Sequence, residues 1–206
     1  MMRFGLQHSP GRYRIPCSFL FILFMSVAVS GVWARGQNKF AYSEKDARKV
    51  LSIIDNLIKE RMRPNPKLPE KIRITENELN SYIVHRIISE EEEIMKELQL
   101  KIFGENKIEG KVYIDLRGQN LPSFLRPEMY VLFSGTLVVE DDKVRLDLKD
   151  LFLGNQRVQP LILDTILAIS ASVQNTEVTG LSDWYELPYG IKNISTEKGA
   201  VYFSFR

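Results

Sequence analysis

Residues 94–117 read Ile-Met-Lys-Glu-Leu-Gln-Leu-Lys-Ile-Phe-Gly-Glu-Asn-Lys-Ile-Glu-Gly-Lys-Val-Tyr-Ile-Asp-Leu-Arg. Ile94, Leu98, Leu100 and Ile102 alternate with Met95, Glu97, Gln99 and Lys101. Beyond Gly104-Glu105-Asn106-Lys107, the residues Ile108, Val112, Ile114 and Leu116 alternate with Glu109, Lys111, Tyr113, Asp115 and Arg117. Successive side chains of a strand point to opposite faces, so period two on both sides of a turn predicts a β-hairpin with one apolar and one polar face. Ten residues of strand span about 33 Å, long for a small domain.

The pattern continues downstream. Residues 118–128, with Pro122 and Pro127, predict a loop, and Tyr130 to Val139 predict a third strand that is apolar on both faces. Glu140-Asp141-Asp142-Lys143 turns the chain into a fourth strand, with Val144, Leu146 and Leu148 facing one way. Leu151 and Leu153 then fall out of phase, which predicts a bulge near Asp150. Pro160 suits the first turn of a helix. Ile162, Ile166, Ile169 and Val173 form its central stripe, widened by Leu161, Leu163, Leu167 and Ala171. So wide a stripe predicts burial on most sides. The tail adds Leu181 to Leu187, a loop at Pro188-Tyr189-Gly190 and two short strands around Glu197-Lys198-Gly199.

Upstream of the hairpin, Ser43 caps a helix whose Ala47, Val50, Leu51, Ile54, Leu57 and Ile58 recur at helical spacing to about Met62. Three prolines between Pro64 and Pro69 hold an extended connector, the best internal boundary, so residues 68–206 are expected to fold alone. Lys71 to Ile74 predict a short strand. Thr75 and Glu78 form a capping box opening a helix that carries Leu79, Tyr82, Ile83 and Ile87 and ends near Ser89. The fold expected is α+β: a long twisted antiparallel sheet packed on an apolar helix, with an N-terminal helical extension. Its divisions are 1–34, 35–69 and 70–206.

Arg3, Arg12 and Arg14 precede twenty uncharged residues, Ile15 to Ala34, and Val32-Trp33-Ala34 offers a cleavage site. That predicts a secretory signal peptide. An uncut membrane anchor is the alternative, since about twenty apolar residues just span a bilayer. Either places residues 36–206 outside the cytoplasm, in the periplasm, cell envelope or medium. Cys17, the only cysteine, lies in this segment, so neither disulfides nor thiolate chemistry are expected beyond it.

The remaining 172 residues hold 25 basic and 26 acidic side chains, and a near-neutral balance argues against a nucleic-acid partner. Beyond the signal His85 is the one histidine, in no nucleophile context, and it reads as solvated or locally paired. Ligands for zinc are too few. Glu90 to Glu93 read as a solvated helix exit, and Asp141-Asp142 as turn chemistry. Asp164, within the apolar helix, reads as a snorkelling or capped acid, or as a contact to a ligand head group. Trp184, Tyr185 and Tyr189 read as core, with a ligand mouth or a membrane surface contact as the alternative. Phosphate-binding glycine motifs are absent. Asn193-Ile194-Ser195 is a glycosylation sequon, meaningful only in a eukaryotic source. No enzyme activity, metal or cofactor is expected.

The order of elements resembles a known family. Ile74-Thr75-Glu76-Asn77-Glu78-Leu79-Asn80-Ser81-Tyr82 looks like the strand-then-helix opening of small exported bacterial proteins of the tubular lipid-binding (TULIP-like) superfamily. The long alternating strands, late apolar helix and final strand turn from Ile191 to Phe205 are similar too. The resemblance covers about residues 70–206. It implies non-catalytic binding or transfer of a lipid or other apolar ligand in a groove between sheet and helix. Leu98, Leu100, Val112, Ile114, Ile162, Ile166 and Ile169 would line that groove. The competing expectation is an envelope interaction or assembly module whose apolar faces are simply its filled core.

Overall fold

The computed structural model describes residues 42–123, 125–174 and 183–206. The expected signal or anchor, Cys17 and the start of the tail at Leu181 lie outside that range. The element order is α1 (Glu44–Arg61), β1 (Lys71–Thr75), α2 (Glu76–Ser89), β2 (Met95–Ile102), β3 (Lys107–Asp115), β4 (Glu128–Glu140), β5 (Lys143–Leu153), β6 (Gln156–Arg157), α3 (Leu161–Gln174), β7 (Tyr185–Glu186), a 3-10 turn (Pro188–Gly190), β8 (Asn193–Glu197) and β9 (Ala200–Ser204).

Among the described residues the fold is α+β, with three helices and a curled antiparallel half-barrel sheet in the order β2-β3-β4-β5-β6. β7 pairs with β5 at Val144↔Tyr185. A three-stranded sheet, β1-β9-β8, stands beside it. The long sheet is a meander whose β2–β3 and β4–β5 turns are short and chemically suited, while the longer loop 116–127 joins β3 to β4. Glu105 and Asn106 (φ 58° each) and Asp141 and Asp142 (φ 50° and 60°) take the left-handed conformations that tight hairpin turns need.

Two irregularities set the faces. Ser134 pairs with Asp150 but Gly135 pairs with Leu148, so Lys149 is the extra residue of a bulge. It keeps Leu151 and Leu153 on the same face as Leu146 and Leu148. A second register shift lies between Met95 and Glu97. It corrects the expectation for Met95, which turns inward opposite Ile114 and is buried.

The helices close what the sheet leaves open. Ser43 caps α1, its hydroxyl accepting from Asp46 N–H at 3.2 Å. The capping box of α2 is complete: Thr75 Oγ1 accepts from Glu78 N–H, and Glu78 Oε2 accepts from Thr75 N–H. α2 lies along β2, whose outer edge would otherwise present unpaired backbone groups. Asn80 Nδ2 donates to Leu100 O and Leu100 N–H donates to Asn80 Oδ1, both at 2.7 Å. Glu76 Oε2 accepts from Ile102 N–H. A side-chain amide thus imitates a neighbouring strand.

α1 packs on α2 through Ala47, Val50 and Leu57. Val50 and Leu57 belong to the same hydrophobic cluster as the sheet residues. Glu92 departs from the solvated exit expected of Glu90 to Glu93. It is buried, and its carboxylate accepts from Ile94 N–H and Met95 N–H, tying the end of α2 to the start of β2.

Candidate functional site

The concave face of the long sheet is built by cross-strand rows. Leu98 pairs with Val112, Val112 with Val131, and Val131 with Leu153. The next row runs Leu100, Gly110, Phe133, Leu151, and the next Ile102, Ile108, Gly135, Leu148. Every non-glycine member is apolar, so the face carries no hydrogen-bonding side chain along these rows.

The seven expected lining residues divide into two groups. Leu98, Leu100, Val112, Ile114 and Ile166 are at most 1% exposed and belong to one continuous hydrophobic cluster. A side chain on the wall of an open slot keeps contact with solvent; these five do not. Ile162 and Ile169 are partly exposed and pack against the edge of that cluster. Val139 on β4, Leu148 and Leu153 on β5 and Leu167 on α3 have the same status, as do Leu51, Ile53 and Ile54 on α1, Ile72 on β1 and Leu121 in the β3–β4 loop, while Leu161 at the start of α3 is 69% exposed. The inward-facing apolar residues of β2 and β3 are thus buried, while on β5 Leu148 and Leu153 are partly exposed beside the buried Val144, Leu146 and Leu151. Alternation alone identifies the face but carries no information on this difference.

The polar groups near this side are few. Asp164 lies within electrostatic reach of Tyr185. Burial pushes the Tyr185 phenol well above its usual range, with Asp183 and Asp164 adding to the shift, so it stays neutral. Trp184 is half-exposed, with the Arg145 guanidinium 4.8 Å from its ring centre. Tyr189 is half-buried, with φ 58° in the 3-10 turn. The aromatic cluster expected near the tail thus splits: Tyr185 is core, Trp184 faces outward.

His85 sits part-buried on α2. Among the described residues, no group of three His, Cys, Asp or Glu side chains is placed to hold a metal ion, and no helix is long and apolar enough to cross a membrane. Asn80, a polar residue inside the Leu79–Tyr82–Ile83 stretch, closes the β2 edge against Leu100, a role its place in the sequence hints at only by its polar type.

No family model matches the chain, and neither a curated protein nor a solved structure matches it.

Proposed function

We propose that this is an exported, non-catalytic carrier of a lipid or other apolar ligand, of the TULIP-like kind. The ligand would lie beside the partly exposed apolar residues of β5 and α3 rather than deep between β2 and β3. One observation carries this reading: beside the sealed residues, Val139, Leu148 and Leu153 of the sheet and Ile162, Leu167 and Ile169 of α3 are only partly buried against the cluster. Apolar pocket walls with few polar groups at the rim are the usual form of a site for an alkyl chain. Asp164 is the polar group at hand for a head group.

The second reading, an assembly module with a filled core, draws support from the complete burial of Leu98, Leu100, Val112, Ile114 and Ile166. Paired tryptophan substitutions separate the two. Ile166→Trp overfills a sealed position and should destabilise the fold by about 1–3 kcal/mol or more. Leu148→Trp and Ile169→Trp should leave thermal stability nearly unchanged and abolish uptake of a fluorescent fatty-acid probe. Absence of probe uptake by the unsubstituted protein would favour the assembly module.

A further inference from the structure

Charge is unevenly distributed along the exported chain. Residues 59–73 hold six basic side chains, Lys59, Arg61, Arg63, Lys67, Lys71 and Arg73, and two acids, Glu60 and Glu70, a net of +4. The rest of residues 35–206 holds nineteen basic and twenty-four acidic side chains, a net of −5.

The fold gathers this segment onto one surface. Lys67 N–H donates to Glu60 Oε1 at 2.8 Å, folding the proline connector back against the end of α1. Arg61 and Leu68 meet over Gly190, where their side-chain atoms come within 3.3 and 3.1 Å of the point a Cβ would occupy. Phe205 N–H donates to Glu70 O, which brings the C-terminal Arg206 alongside. Lys71 and Arg73 share the exposed face of β1, and the Lys71 ammonium lies 4.1 Å from the Tyr202 ring centre.

All six basic side chains are exposed, and among the described residues Arg63 alone of the six has an ion-pair partner, Glu60. Lys107, Lys149 and Lys192, outside this segment, each sit against an acid, Glu105, Asp147 and Asp142. Met62, 75% exposed, stands between Arg61 and Arg63.

We propose that this surface docks the protein on a membrane carrying anionic phospholipid headgroups. A protein partner would ask for cations fixed at set positions. This face instead offers long, exposed cations spread over a helix end, a connector and a strand, beside the exposed apolar side chain of Met62. That combination suits a fluid layer of phosphates over hydrocarbon. The docking goes beyond the apolar-ligand reading and does not depend on it, because it needs no occupied interior.

The test is flotation of the protein recovered from a secreting host with two kinds of vesicle. One is phosphatidylcholine alone, and the other contains about one-third phosphatidylglycerol. Binding should require phosphatidylglycerol and fall steeply as salt rises. Each interfacial cation contributes roughly fivefold, so Arg63→Gln/Lys67→Gln/Arg73→Gln should weaken binding about a hundredfold. Lys107→Gln/Lys149→Gln/Lys192→Gln removes the same charge elsewhere and should bind nearly as the parent does. Circular dichroism of each variant identifies any that fail to fold, and Met62→Ser, a substitution at an exposed site, should independently weaken docking. Equal binding to both vesicles, equal loss in the two triple variants, or retention on a polyglutamate matrix without vesicle binding would each overturn the proposal; the last would assign the face to an acidic protein.

Discussion

The Phe133 ring lies over Gly110 of the neighbouring strand, so closely that a Cβ at position 110 would stand 2.0 Å from its Cζ atom. Gly110 occupies the centre of the concave face, between Leu100 on β2 and Phe133 on β4. A residue without a side chain there lets the sheet curl tightly and leaves room for one ring to fill the hollow. Gly110→Ala is therefore expected to expel the ring and to cost about 1–3 kcal/mol in chemical denaturation. Phe133→Leu should recover part of that loss in the double variant, because the two positions share one space. Strict additivity would mean that they do not.

Asn80 and Leu100 supply a second expected outcome. Asn80→Ala leaves a buried N–H and a buried carbonyl of Leu100 without partners, at about 1–3 kcal/mol each. Hydrogen exchange should find the Leu100 amide among the first in β2 to lose protection. Unchanged protection would indicate that the β2 edge is closed by other means.

Acid should act in part through Glu78. Burial works to raise its pKa, but the Lys49 ammonium and the N–H and hydroxyl of Thr75 outweigh that and hold it below the usual carboxylate range. A carboxyl with a lowered folded-state pKa contributes stability above its unfolded value, near 4.5, and that contribution is lost as pH falls through the folded value. Glu78→Gln should thus be less stable than the parent at pH 7, by about 1 kcal/mol for the weakened cap, and should converge with it as acid titrates the Glu78 carboxylate, below the usual carboxylate range. A difference that stays constant down to low pH would assign the effect to packing.

Removal of α1 is expected to be costly. A chain beginning at Leu68 lacks Ala47, Val50 and Leu57, which are buried where α1 and α2 pack. Their loss uncovers the side of α2 on which they pack, and thermal unfolding should broaden and shift down by several degrees. A sharp transition at the parent temperature would make the proline connector a true domain boundary.

Much of this was legible in the residues. Alternation from Ile94 to Leu116 and from Val144 to Leu153 dictates hairpins, because only period two puts those side chains on one face. The capping box at Thr75 and Glu78 and the bulge beside Asp150 are local chemistry, and they fall where local chemistry puts them. Long-range features were less legible. Asn80 and Leu100 are twenty residues apart, so a polar side chain on a helix gives no sign that it will finish a strand edge. Met95 turns inward because the register slips after it, which alternation cannot register. Gly110, a lone glycine inside a strand pattern, was a signal of close approach. Periodicity also told which residues face inward but carried nothing about where the cover ends, and that decides between Leu98 and Leu148 as neighbours of the proposed ligand.

The most direct test of the carrier reading is native mass spectrometry of the protein purified from a secreting host. The account predicts adduct masses in the range of single phospholipids or fatty acids, released on denaturation and missing from Leu148→Trp but retained by the Lys107→Gln surface variant. A single mass, the same in native and denaturing conditions and unchanged after incubation with lipid vesicles, would contradict it.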